Sequence, residues 1–265
     1  MTSATQTVEQ HFARYGPGYR WLVTIGGLLG AMLMILSATM VNVAVPSIMG
    51  AFGVGQDLAQ WASTAFLATM VASQLLNTWI VTAFGQRFTF SMTLVVFTIG
   101  SLICAASPTI EVLIVGRILQ GFSAGVIQPL VMATIITVFP ADRRGFAMGL
   151  YGMGVTLAPS FGPLVGGITI DAMTWRDIFL IPLPLVGVAF VMGLMFMPGR
   201  KFPRRLPEFD WAGFALLCVA LVCLMTGVGN GQRWGWSSND IVMLFVVGFS
   251  TAFAFVYWQA RTRSP

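Results

Sequence analysis

The sequence is short of charge. Only 9% of its residues are Asp, Glu, Lys or Arg, where a soluble domain carries about 25%. So few charges do not coat a water-facing surface, and so apolar a chain is not intrinsically disordered. Histidine is nearly absent: His11 alone, in a polar N-terminal stretch, makes no zinc or haem ligand set. Three cysteines, Cys104, Cys218 and Cys223, sit inside apolar runs and read as small buried hydrophobes, not disulfide partners or metal ligands. Paired carboxylates, a Ser-His-Asp set and a phosphate-binding loop are missing. The glycine-rich stretches lie in apolar runs with no following Lys-Ser/Thr. No enzyme, metal or other cofactor is expected. Residues 1–20 lack the charged start, short apolar core and cleavage site of a secretory signal.

What fills the 265 residues is apolar: 57% of them are hydrophobic, with a mean hydropathy of +0.83. Crossing about 30 Å of hydrocarbon takes about 20 apolar residues. Eight stretches qualify: Trp21–Val45, Leu58–Val81, Phe88–Ala106, Glu111–Phe139, Phe146–Ile170, Ile178–Phe196, Trp211–Val228 and Ile241–Gln259. They are helices, because lipid forbids open sheet edges and barrel strands would alternate over about 10 residues. The fold class expected is an all-α, multi-pass membrane protein.

Placing each charge gives a topology. With the N-terminus cytoplasmic, inner segments hold Arg14, Arg20, Arg87, Arg143, Arg144, Arg200, Lys201, Arg204, Arg205, Arg261 and Arg263, eleven of the 14 basic residues. Outer loops hold Arg176 and Arg233, and Arg117 lies inside a span. The net charge of +5 is thus scattered over short loops, with no contiguous basic face for nucleic acid. None of the nine acids falls near a bilayer midplane; Glu111 comes nearest to a span, at the outer mouth of the fourth. The segment Met197–Asp210, with Pro198, Gly199, Pro203, Pro207 and four basic residues, reads as a boundary. The expected organisation is a cytoplasmic tail (1–20), a six-helix bundle (21–196), a cytoplasmic linker (197–210), two further spans (211–260) and the start of a cytoplasmic segment (261–265).

Three spans carry motifs. In the fourth, Arg117, Gln120, Ala124 and Gln128 recur at helical spacing, and Gly121 and Gly125 form a small-xxx-small pair. An arginine about two turns below the surface either faces the bundle interior or snorkels outward toward Glu111. In the fifth, Gly154, Pro159, Gly162, Pro163, Gly166 and Gly167 give a bent helix with a side-chain-poor face, suited to close packing against another helix. In the first, Thr39, Asn42 and Pro46 share a stripe, where the asparagine serves as interhelical glue or as a ligand group.

The Arg117-x-x-Gln120-Gly121 run and the Ala158-Pro159-x-x-Gly162-Pro163-x-x-Gly166-Gly167 run resemble signature motifs of the major facilitator superfamily. The second resembles the motif typical of its antiporters. Asn42–Pro46, Gln60–Thr64, Trp175–Phe179, Phe209–Gly213 and the extra helix pair around Gly235 and Trp236 resemble the drug/proton antiporter branch with fourteen spans, the EmrB/QacA type. The likeness covers roughly residues 20 to 260. It implies part of an alternating-access exporter of the bacterial inner membrane. Such exporters move amphipathic drugs or other toxic organics outward against entering protons, and some work with a periplasmic adaptor. It places Ser37, Thr39, Asn42, Trp61, Arg117, Gln120 and Gln128 at the substrate cavity or coupling site, lined by spans one, two, four and five near the midplane.

Three departures qualify the likeness. Ser37 stands where the family pattern has an aspartate, and serine does not titrate at physiological pH. In the loop between spans two and three, Gly85 and Arg87 remain, but Thr82 and Ala83 replace an acid and an arginine; the cytoplasmic latch of the family is weakened or replaced. The family architecture also needs a second six-helix half after Pro265, absent from this sequence, and the glycine face of span five is expected to meet a helix of that half. A fragment or truncation is therefore expected. Two other readings stand beside drug efflux: export of an anionic or neutral metabolite bound through Arg117, and a transport-inactive membrane fragment or assembly partner.

Overall fold

A computed structural model describes residues 3–199 and 209–261. The linker charges Arg200, Lys201, Arg204, Arg205 and Glu208, with Pro203, Pro207 and residues 262–265, lie outside the described residues. The described chain is helical: α1 (Ser3–Tyr15), α2 (Tyr19–Phe52), α3 (Gln56–Phe84), α4 (Gln86–Ala106), α5 (Ile110–Val138), α6 (Ala141–Ala172), α7 (Leu183–Phe196), α8 (Trp211–Trp234) and α9 (Asn239–Arg261). Each of the eight apolar stretches falls in a helical segment of membrane-crossing length and composition, the sixth as two pieces. Contacts group the chain into two compact units, Met1–Arg204 and Arg205–Pro265.

The sixth span is the least regular. Its apolar run is broken into a 3₁₀ turn at Trp175–Phe179 and α7, which starts just after Pro182. Proline has no N–H to give to the preceding turn. Fourteen residues of α-helix reach only about 21 Å, so α7 alone does not cross and the Trp175–Phe179 turn completes the span.

In the first unit α5 lies between α3 and α4, and α2 packs on α6 and α7. Two ends can be told apart by contact. At one, the Arg176 guanidinium donates to the Ser107 carbonyl at 3.0 Å and Trp175 meets Phe52 edge-on at 5.5 Å. At the other, α1 folds across the helix ends. The polar N-terminal stretch carries a helix that its polar letters did not announce: Val8, Phe12 and Tyr15 fall on one helix face, and Val8 is buried. Phe12 sits edge-on to Tyr19 at 5.1 Å and Tyr15 edge-on to Phe196 at 5.4 Å.

In the second unit, Asp210 joins both helices. Its carboxylate caps α8 by accepting from the Gly213 N–H at 2.9 Å, and accepts from Trp258 and Gln259 of α9 at 3.0 Å each. A Cβ at Gly213 would press on the Asp210 carboxylate and come 2.8 Å from Gln259 Nε2, so glycine leaves room for this cap. Phe249 and Phe253 stay largely exposed, as a lipid-facing surface requires.

Candidate functional site

The fourth-span motif is built from close backbone approach. A Cβ added at Gly121 would collide with the Phe66 carbonyl, and one at Gly125 with the Met70 carbonyl. On the other side, Gly116 lies against Gly100, with 2.8 Å from an added Cβ to the Gly100 carbonyl. The glycines thus let α5 touch the backbones of both α3 and α4. That contact brings α3 carbonyls within reach of Arg117, whose side chain is fully buried.

Inside the seam Arg117 has neutral partners. Its Nε donates to the Ala62 carbonyl at 2.7 Å and its Nη1 to Gln120 Oε1 at 2.8 Å. The Phe66 ring lies 4.3 Å from the guanidinium carbon, a cation–π distance. Gln120 in turn donates to Ser101 Oγ at 2.7 Å. Arg117 Nη2 is buried without a hydrogen-bond partner among the described residues. Of the two sequence readings of Arg117, this is the interior one; Glu111 stays exposed at the start of α5. A buried cation held only by a carbonyl, an amide and a ring is incompletely compensated.

The other candidates divide by exposure. Ser37 and Gln120 are buried, like Arg117. Thr39 is half-buried and its hydroxyl donates to the Leu36 carbonyl at 3.0 Å. Asn42 is exposed, and its Oδ1 accepts from Ser63 of α3 at 2.8 Å, tying span one to span two. Trp61 is 37% exposed. Gln128 is half-buried; its side-chain amide nitrogen lies 3.9 Å from Met70 Sδ and its main-chain carbonyl accepts from the Tyr151 hydroxyl at 3.2 Å.

The fifth-span motif corrects one expectation. The glycine face was expected to wait for a helix of another half. Three of its glycines instead pack on α2 of this chain. A Cβ at Gly162 would collide with the Thr39 hydroxyl, one at Gly166 would come 3.1 Å from the Met40 carbonyl, and one at Gly154 2.7 Å from Leu28. Gly167 has nothing within 4 Å. Pro159 and Pro163 lie inside a helix that continues to Ala172. Around Gly167, Leu157, Phe161, Leu164 and Ile168 form an apolar face left open, each about half exposed or more.

The loop between spans two and three is held by contacts that the sequence did not reveal. Gly85 takes φ +83°, a left-handed value that disfavours any side chain there. The Arg87 N–H donates to the Pro198 carbonyl at 3.2 Å and its Nε to the Met197 carbonyl at 2.8 Å. Its Nη2 sits 3.0 Å from His11 Nε2. His11 stacks on Tyr19 at 5.1 Å, and the Tyr19 hydroxyl donates to the Phe196 carbonyl at 2.8 Å. What remains of the loop motif therefore fastens α1 and the end of α7 to the bundle. Nothing in the spacing of His11 and Arg87 announced the pairing.

A set of membrane-length helices, with glycine-paved seams and a buried arginine, defines a polytopic membrane protein. The chain belongs to the major facilitator superfamily, whose model matches residues 27–260. It is 31% identical to the multidrug export protein EmrB of Escherichia coli (strain K12) over 246 residues, covering 92% of this chain and 48% of that protein. It is 30% identical to the probable multidrug resistance protein EmrY of the same strain, covering 94% and 49%. An uncharacterized transporter of the superfamily, YhcA of Bacillus subtilis, is 32% identical over 90% of this chain and 44% of its own. The chain thus spans about half the length of the curated relatives it matches. Among solved structures, the POT family transporter PepTSo superposes with a TM-score of 0.63 at 17% identity over 92% of this chain and 55% of that one. A peptide transporter POT in complex with sulfate gives 0.64 at 17% identity over 97% and 56%. These two likenesses establish the fold. The superfamily consists of transporters, not enzymes.

Proposed function

We propose that this chain forms the N-terminal part of an exporter of small organic compounds, working by alternating access in a bacterial inner membrane with its N-terminus in the cytoplasm. The observation that carries the reading is the contrast within α6. Its glycines are used up against α2, while Leu157, Phe161, Leu164 and Ile168 remain open beside the uncovered Gly167. An apolar, small-residue face of this kind suits a helix of a second bundle, and the matched relatives are about twice as long. The export direction and organic cargo rest on the relatives named for multidrug export. The cytoplasmic N-terminus rests on the eleven basic residues on that side.

Proton antiport, which the resemblance implies, has no acidic carrier in the described spans near Arg117. Coupling through this part of the protein would need a group elsewhere. The anionic-metabolite reading would need Arg117 to leave its seam, because a fully buried guanidinium offers nothing to a passing ligand. A periplasmic adaptor remains part of the proposal only by likeness to the drug/proton antiporter branch.

The test is accumulation of a lipophilic dye in cells stripped of their own exporters, with the gene expressed in its natural genomic context. Reduced accumulation, reversed by an uncoupler, is expected. Unchanged accumulation of every cationic and neutral dye tried would leave the inactive-partner reading in place.

A further inference from the structure

Between the start of α2 and the α5–α6 connection lies a half-open cavity of about 470 Å³. Its lining includes Arg20, Trp21, Phe139, Asp142, Arg143 and Phe146. None of these residues was singled out by the motifs, and none belongs to the Arg117 seam.

The three aromatics form one wall. Trp21 meets Phe139 edge-on at 5.4 Å and Phe146 edge-on at 6.1 Å. Trp21 and Phe146 open the first and fifth apolar runs, so the cavity sits where two spans leave the hydrocarbon. Trp and other aromatics collect at that level because one end of the site is apolar and the other is wet. Phe146 is 71% exposed, an unfavourable state in water and a natural one against acyl chains.

The polar wall is cationic. The guanidinium carbon of Arg20 lies 5.0 Å from the centre of the Phe12 ring, and its Nε is buried with no hydrogen-bond partner. No carboxylate pairs with Arg20 among the described residues. Arg143 has one weak pairing, Nε to Asp142 at 3.7 Å, with both side chains more than 70% exposed. Two arginines against one aspartate leave the lining with a net positive charge. The amino end of α6 adds partial positive charge to the same wall. Arg144 is held back by its own bond to the Phe139 carbonyl at 3.1 Å, which fixes the loop.

We propose that this cavity is a binding site for an anionic phospholipid of the leaflet on the N-terminal side of the membrane. Arg20 and Arg143 hold the phosphate, and Trp21, Phe139 and Phe146 line the glycerol and upper acyl chains. A soluble phosphate would use the two arginines but not the aromatic wall, and a neutral lipid the reverse. Only a lipid phosphate with surplus negative charge uses both. The exposed Arg143 then gains a phosphate partner, and the exposed Phe146 a hydrocarbon neighbour. The proposal is independent of what the protein transports.

The test titrates detergent-purified protein with dimyristoyl-phosphatidylglycerol and, separately, with dimyristoyl-phosphatidylcholine, counting bound lipids by native mass spectrometry. Wild-type protein should retain one phosphatidylglycerol in preference to phosphatidylcholine; equal retention of both overturns the proposal. The Arg20→Gln/Arg143→Gln variant should bind phosphatidylglycerol about 30-fold more weakly, the effect of two interfacial cations. The Arg14→Gln variant, outside the cavity, should bind as wild type. Undiminished binding by the double variant also overturns the proposal. If the double variant fails to fold, Arg20→Lys/Arg143→Lys decides: retained preference supports a charge-held lipid, and lost preference in a folded protein contradicts it. Displacement of the lipid by millimolar inorganic phosphate would assign the site to a soluble phosphate and refute the lipid.

Discussion

The seams α3–α5 and α2–α6 are both paved with glycine, yet they are built for opposite ends. In α5, 61% of the most apolar stretch is buried within the chain, against 22% in α6. The α3–α5 seam is closed on both sides and joined by polar bonds: Arg117 to the Ala62 carbonyl, and Asn77 Nδ2 to the Val126 carbonyl at 2.6 Å. The α2–α6 seam is closed on one side only. Thr39 and Met40 fill the glycine notch, and the rest of α6 faces outward as Leu157, Phe161, Leu164 and Ile168. The difference teaches that the same residue serves two purposes. In α5 glycine locks a fixed core around a buried cation; in α6 it keeps a helix thin on one face and free on the other.

The sharpest way to break the contrast is to fill the α5 notch. Gly125→Leu drives a side chain into the Met70 backbone, which has no rotamer to yield. A loss of about 3 kcal/mol or more is expected, read as a collapse in the yield of folded protein and in its unfolding temperature. Normal yield would mean that α3 and α5 are not in backbone contact.

Next comes the cation inside that seam. Arg117→Met removes an incompletely compensated charge, and the Ala62 carbonyl keeps its helical bond. Stability is therefore expected to stay within about 1 kcal/mol of wild type. Transport is expected to be lost in Arg117→Ala and partly retained in Arg117→Lys, with dye efflux as the readout. Equal efflux in all of these proteins would make Arg117 a packing element.

The α2–α6 seam should answer more mildly than the α5 notch. Gly162→Ala presses on the Thr39 side chain, so a cost of about 1–3 kcal/mol is expected. Thr39→Ala in the same protein should return part of it, because the hydroxyl is the nearest obstacle. A double-mutant cycle with no coupling would separate the two residues. In the second unit, Asp210→Ala removes the α8 cap and its bonds to Trp258 and Gln259. About 1–2 kcal/mol is expected, seen as faster hydrogen exchange in the first turn of α8.

The smallest effect concerns α1. Burial, then the Arg87 and Arg14 guanidinium groups, lower the pKa of His11 from its ordinary 6.5. The undocked helix therefore takes up a proton first as pH falls below 6.5. Docking of α1 against Tyr19 and Arg87 should weaken on acidification and be fully present above 6.5. Hydrogen exchange in α1 at about pH 5.5 and about pH 7.5 reads this, and His11→Gln should abolish the difference.

Much of this architecture was legible. Eight apolar runs gave eight helices because lipid allows little else, and Gly121 and Gly125 announced close packing through spacing alone. Other features were hidden for physical reasons. The polar letters around Val8, Phe12 and Tyr15 concealed a short amphipathic helix that needs the bundle to fold against. The break at Pro182 was masked by an unbroken apolar run. The partners of Arg117 are a carbonyl, an amide and a ring, none of which a search for charged residues would find. The attachment of Gly162 and Gly166 to α2 was equally out of sight, since spacing shows that a face is thin and not what lies on it.

The central proposal is that α5 is a fixed core and α6 presents a face to a second bundle that changes during transport. Single cysteines at Ala124 of α5 and Leu164 of α6, with the native cysteines replaced, test it directly. They are labelled with a membrane-permeant thiol reagent in cells with and without a transported dye. The account expects Ala124→Cys to stay unlabelled in both conditions and Leu164→Cys to change its labelling rate when dye is present. Equal, dye-independent labelling at the two sites would contradict it.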